Sequence, residues 1–144
     1  MTKCFNRGQN SSLPRLLYVG DVPVESSYHG SALIYRLLQI YPADNLMIVE
    51  AGLSESKSAR RLSGVRYAPS LQPGRRWLNT RLHGFVASLF TFLAPYRERA
   101  IKRTLGEFRP EAVLTVAHGY SWIAAARYAG RHNLPLHFIV HDDW

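Results

Sequence analysis

The stretch from Glu111 to Trp144 restricts the fold of this chain more than any other. Ala112-Val113-Leu114-Thr115-Val116 is a short, apolar, β-branched run. Trp122 to Arg131 is rich in Ala and helical in period, and Leu136-His137-Phe138-Ile139-Val140 returns to strand character. Strand, helix and strand in that order form a βαβ unit. Two His-bearing segments, Ala117-His118-Gly119-Tyr120 and His141-Asp142-Asp143, then fall just past the carboxyl ends of buried strands. In an open parallel sheet that edge is where ligands bind.

The rest of the chain repeats the alternation. Residues 1–12 are polar and aperiodic and read as a flexible leader. Arg15 to Val19 is the first buried strand, ended by Gly20-Asp21-Val22-Pro23. A polar loop through Tyr28-His29-Gly30 feeds a helix from about Ser31 to Tyr41, with Leu33, Leu37 and Ile40 on one face, and Pro42 stops it. Asn45 to Glu50 is a second strand and reads as covered on both faces. A Ser-rich loop over 51–64 follows. Val65 to Pro69 is a third strand, assigned to a sheet edge by its Pro and its alternation, and Leu71 to Gly74 is a turn. Arg75 to Gly106 carries one long helical pattern, broken near Pro95, in which Leu78, Leu82, Phe85, Val86, Leu89 and Leu93 recur at spacings of three and four. About five strands and three helices in alternation predict an α/β domain with a doubly wound, mostly parallel sheet spanning 13–144.

Composition narrows the function. In 144 residues, 47% of them hydrophobic, there is room for one domain with a core. A lone Cys4 excludes an internal disulfide, and no zinc-ligand spacing is readable. The N-terminus lacks an apolar signal core and no run approaches a membrane span, so the expected location is the cytoplasm. The net charge of +8 is concentrated in the middle of the chain, at Arg60, Arg61, Arg66, Arg75, Arg76, Arg81, Arg97, Arg99, Lys102 and Arg103. Such clustering attracts anionic surfaces. The long helix therefore has two readings, a cover for one face of the sheet or an interfacial helix on an anionic membrane, with cations flanking its aromatic middle. A nucleic-acid partner rests on charge alone and is not expected, since no recognition module is present.

Three loops offer candidate ligand groups. His118 can donate to a sugar hydroxyl or a phosphate, Gly119 would let a ligand approach the backbone, and Ser121 reads as an N-cap. His29-Gly30 follows the first strand in an arrangement able to hold a phosphate, and a Gly30 that merely supplies a positive φ is the plainer alternative. No G-x-G-x-x-G fingerprint is present and no acidic residue is read at its usual place after such a turn. Each His has the ordinary alternative of bonding to loop carbonyls. Asp142 and Asp143 are adjacent and point apart in an extended segment. One is able to take a proton from a hydroxyl or to orient His141. Metal binding by His141 and Asp142 lacks further ligands. Gly119-Tyr120-Ser121-Trp122-Ile123 has no Gly two residues after its Ser, so it is no nucleophile elbow.

Leu16-Leu17-Tyr18-Val19 through His29-Gly30, Arg109-Pro110-Glu111 through His118-Gly119, and Leu134-Pro135 through His141-Asp142 together resemble the N-terminal Rossmann-like domain of a GT-B glycosyltransferase, most similar to the large retaining family four. The last two stretches are similar to that family's KPDvihaHg and giPlvvtvHD motifs. The resemblance implies transfer of a glycosyl group from a nucleotide-sugar donor to a hydroxyl-bearing acceptor, without metal or other cofactor. It places Gly30 near the donor phosphate or sugar, His118 on the acceptor side, and His141 on the donor sugar. It also implies that the nucleotide pocket belongs to a second Rossmann-like domain, which this sequence lacks. The expectation is a half-site, inactive alone, that is either a fragment or works with a partner chain, in the cytoplasm or at the inner face of a membrane. Which sugar, which acceptor and which stereochemistry are left open.

Overall fold

The computed structural model describes residues 13–27, 29–51, 57–70 and 83–140. Its elements are β1 (Leu16–Gly20), α1 (His29–Leu38), β2 (Leu46–Glu50), β3 (Arg66–Pro69), α2 (His83–Phe92), α3 (Ala94–Leu105), β4 (Ala112–Val116), α4 (Ser121–Arg131) and β5 (Leu136–Ile139). The five strands form one sheet in the order β3-β2-β1-β4-β5, and every neighbouring pair is parallel. This is the expected α/β, Rossmann-like architecture. The chain leaves β1 toward β2 on one side and later returns to its other side as β4, so the topological switch point lies between β1 and β4.

Alternation along the strands builds two cores. Leu17, Val19, Met47, Val49 and Val113 face Ile101 and Leu105 of α3 and Ala124, Ala125, Tyr128 and Ala129 of α4. Leu16, Tyr18, Leu46, Ile48, Ala112 and Leu114 face Ile34 and Leu38 of α1. β1, β2 and β4 are buried along their whole length, as strands covered on both faces must be.

Several expectations need correction. In α1 the packed stripe is Ile34 and Leu38, while Leu33, Leu37 and Ile40 are exposed. Apolar residues at 33, 34, 37 and 38 make two stripes of the same period, and periodicity alone does not say which one meets the sheet. β5 is not a buried strand. As the outermost strand it leaves Leu136, His137 and Phe138 exposed, with the Phe138 ring set edge-on to Trp122 at 5.7 Å between centroids.

The long helix is two helices. It breaks at Leu93, and Pro95 occupies the first turn of α3, where its missing N–H costs nothing. α3 covers the sheet through Ile101 and Leu105. α2 does not, for only Val86 and the neighbouring Ala94 of its apolar stretch are buried, while Phe85, Leu89, Phe92 and Leu93 are exposed. The expected leader 1–12, residues 52–56 of the loop 51–64, the turn at 71–74 and the helical pattern at 75–82 lie outside the described residues.

Candidate functional site

Parallel pairing of β1, β4 and β5 puts their carboxyl ends on one rim, and the loops above that rim carry the side chains of interest. The first residue past β1 is Asp21, and its carboxylate crosses the switch point to the loop after β4. There it accepts the backbone N–H groups of Tyr120 and Ser121, the latter at 2.7 Å, and the Ser121 hydroxyl. Asp21 is thus the cap of α4, the role expected of Ser121. Ser121 is instead the first helical residue. A carboxylate on the free N–H groups of a helix start is favoured both by hydrogen bonding and by the helix dipole.

Arg97 of α3 completes this unit. It is 3% exposed. Its Nη2 donates to Ser121 Oγ at 2.7 Å and stands 3.9 Å from Asp21 Oδ1. The Phe90 ring lies 5.4 Å below its guanidinium and 5.6 Å from the Tyr120 ring. Burial pulls the affinity of Arg97 for its proton down, and Asp21 raises it again. Glu98, the next residue, is also buried and meets Arg131 of α4 at 2.9 Å and Arg127 at 3.6 Å, so adjacent residues of α3 fasten both ends of α4.

The expected site residues fall unevenly on this frame. His118 is exposed in the loop between β4 and α4, and its backbone N–H donates to Val116 O at 2.8 Å. Gly119 has φ +65°, and a Cβ there would lie 2.2 Å from Asp21 Oδ2 and 2.7 Å from its Cγ. The direction a Cβ would take from Gly119 is therefore filled by the Asp21 carboxylate, while the residue itself is exposed beside His118. His29 and Gly30 are in the first turn of α1 rather than in a loop before it. Gly30 has no positive φ, so no turn conformation requires Gly there, and its nearest neighbour, Val22 Cγ1, would be an ordinary 3.9 Å from a Cβ. His141 and Asp142 lie outside the described residues. Among the described residues no group of three or more His, Cys, Asp or Glu side chains is placed to hold a metal.

Two acidic residues of the rim were not singled out by sequence. Glu50 ends β2, the place at which no acidic residue was read, and it is fully buried. Its Oε2 accepts the Val24 N–H at 2.7 Å and so ties down the loop after β1. Burial raises its proton affinity above the ordinary value near 4.5, with the Val24 N–H and Arg61 pulling it down and Glu25 pushing it up. Nearby, Tyr67 donates to Val24 O and accepts from Leu62 N–H, and burial pushes its phenol up to about 12. Tyr18 donates to Val22 O at 2.7 Å, its ring passing so close to Gly20 that a Cβ there would collide with it.

Set against protein-family models, curated proteins and solved structures, the chain matches none.

Two outcomes test this geometry. Gly119→Ala should lower unfolding stability by about 2 kcal/mol or more, from left-handed backbone strain and the clash with Asp21. Asp21→Ala should cost about 3–5 kcal/mol by leaving Arg97 buried without its partner. Because Asp21→Ala removes the two nearest clashing atoms, the double variant should lose at least about 1 kcal/mol less than the sum in urea unfolding. For Glu50 the folded protein holds a proton that the unfolded chain has released, at any pH between about 4.5 and its raised native value. Its contribution is whole below that window and is lost as pH rises through it. Glu50→Gln should keep the bond to Val24 and show no such loss, so the variant should gain on the natural protein as pH rises above about 4.5.

Proposed function

We propose that this chain is the acceptor-side half of a nucleotide-sugar-dependent glycosyltransferase, working with a second Rossmann-like lobe that holds the nucleotide. The observation that supports the reading is the exposed His118 on the rim at the β1/β4 switch point, in a loop whose position is locked by Asp21. A rigid loop with a free imidazole beside a helix start suits the orientation of a hydroxyl for attack. In the reaction the acceptor oxygen bonds to the anomeric carbon as the bond from that carbon to the phosphate oxygen breaks. The nucleoside diphosphate leaves with the electron pair, and the hydroxyl proton is given up to a base or to the leaving phosphate. On this reading His118 orients the acceptor and His141 contacts the donor sugar.

The chain alone should transfer no sugar from labelled nucleotide hexoses. With a matching nucleotide-binding lobe it should form a glycosylated acceptor, and His118→Ala should cut the rate about tenfold or more with unchanged thermal unfolding, as expected for one lost hydrogen bond to a polar substrate. Absence of transfer with every such lobe would sink the reading.

A second reading, compatible with the first, is docking on an anionic membrane surface. No described helix is long and apolar enough to cross a membrane. Yet Phe85 and Phe92 of α2 are 68% and 88% exposed, Leu89 and Tyr96 are exposed beside them, and Arg99, Lys102 and Arg103 project from the next helix. Aromatic side chains flanked by cations are what interfacial helices present. Co-sedimentation with vesicles should require acidic lipid, and Phe85→Ser with Phe92→Ser should weaken it about tenfold or more, given the apolar area each ring buries. Binding indifferent to lipid charge would rule it out.

A further inference from the structure

The segment 22–27, between β1 and α1, is fixed at both ends and fastened in the middle by side chains. Asp21 is held at one end by Tyr120 and Ser121, and α1 is packed into the core at the other through Ile34 and Leu38. Between them Val24 is fully buried, and both of its backbone groups are bonded to side chains. Its N–H donates to Glu50 Oε2 at 2.7 Å, and its carbonyl accepts the Tyr67 hydroxyl at 3.0 Å. The Ser26 N–H adds a bond to Arg60 O at 3.1 Å. Glu50 is fully buried, and its Oε1 has no hydrogen-bond partner among the described residues. An oxygen without a donor costs far more on a buried carboxylate than on a neutral acid. The groups facing Glu50 act in opposite directions. Glu25 of the same segment, also buried and accepting the Ser27 hydroxyl, repels a charge there. Arg61, half-buried with its guanidinium 5.5 Å over the Tyr67 ring, attracts one. Tyr67 of β3 and Tyr18 of β1 are within electrostatic reach as well, both held as neutral phenols by burial first and by Glu50 after it.

We propose that Glu50 is a proton-operated latch: with its proton on, segment 22–27 is shut against the ends of β1 and β2, and loss of the proton lets that segment open. Opening brings water to Glu50 Oε1, separates Glu25 from Glu50, and takes Val24 out of the core on the α1 face. The Val24 N–H bond, stronger to a carboxylate than to an acid, opposes this and is outweighed by the cost of burying the charge, the largest influence on Glu50. The shut segment holds the Glu50 proton more tightly than the open one, so release of the proton favours opening. The latch is therefore fully engaged below about pH 4.5 and gives way as pH rises toward the raised native value. One proton is released, so the ratio of open to shut grows by at most about tenfold per pH unit. The latch does not rest on sugar transfer, since neither a donor nor an acceptor enters into it. Asp21 and the His118 loop stay in place when it opens, held by the bonds of Tyr120 and Ser121.

The test is amide hydrogen exchange of the 144-residue chain from about pH 4 to about pH 8, read residue by residue in proton–nitrogen spectra and corrected for the intrinsic rate at each pH. Protection of Val24 and Ser26 should fall by up to about tenfold per pH unit above about 4.5 and then level off. Their exchange should be indifferent to low urea, as local opening is, whereas exchange of Val113, whose N–H donates to Pro135 O in the core, should follow urea. Glu50→Gln, neutral at every pH, should hold Val24 protection level throughout. Should that variant not fold, two others carry the test through the charges that face Glu50. Glu25→Gln removes the repulsion and should end the fall at a lower pH, and Arg61→Gln removes the attraction and should extend it to a higher one. Val24 protection that is constant with pH, that falls equally in Glu50→Gln, or that follows urea as Val113 does would overturn the proposal. So would a fall whose end is moved by neither charge variant.

Discussion

The carboxylate of Asp21 is the constraint on which the rim of this domain depends. It stands where the chain changes direction across the sheet, and it serves β1, the loop after β4, and α3 at once. Three donors from Tyr120 and Ser121 converge on it, and a buried guanidinium lies behind them. Burying an ion pair in this way is costly unless the remaining hydrogen-bonding capacity is met. Asp21 meets that condition through the helix start. Arg97 does not meet it fully, since its Nε and Nη1 have no hydrogen-bond partner among the described residues.

A second consequence is that the two faces of the sheet are held differently. The α1 face closes by apolar packing of Ile34 and Leu38, with Tyr18, Tyr67 and Glu50 tying the loops above it. On the other face α3 packs through Ile101 and Leu105, and α4 through the small residues Ala124, Ala125 and Ala129, which bring it close to the strands. The polar links, Arg97 to Ser121 in the interior and buried Glu98 to exposed Arg131, then fix the helices along their axes. Apolar contact between smooth alanine surfaces sets distance well and register poorly, whereas directional bonds set register.

Much of the fold was legible because buried parallel strands write themselves as short β-branched runs, and β1, β2 and β4 did so within a residue of their observed ends. The β3 edge was legible for a local reason as well, its terminal Pro69. What was not legible turned on partners distant in sequence. Which stripe of α1 faces inward depends on the sheet, since Leu33 and Ile34 differ only in what they meet. Asp21 reads as a strand breaker, and its partners are some hundred positions away, so no local capping rule points from Ser121 to it. Arg97 sits among other cations and is distinguished from Arg99 only by being turned inward. Gly119 drew attention for a sound reason, its freedom of backbone, and the direction a side chain would take from it is filled by the protein's own carboxylate.

The two margins of the sheet are unlike in what they permit. On the β3 side the strand is four residues long and ends in a proline without an N–H to offer. On the β5 side Leu136 to Ile139 contains no proline, glycine, lysine or acidic residue, and its outer backbone groups are free of any strand among the described residues. Natural sheets usually blunt such a margin. Growth of this sheet, whether by an added strand of another chain or by unwanted self-association, therefore has a preferred direction, away from β4.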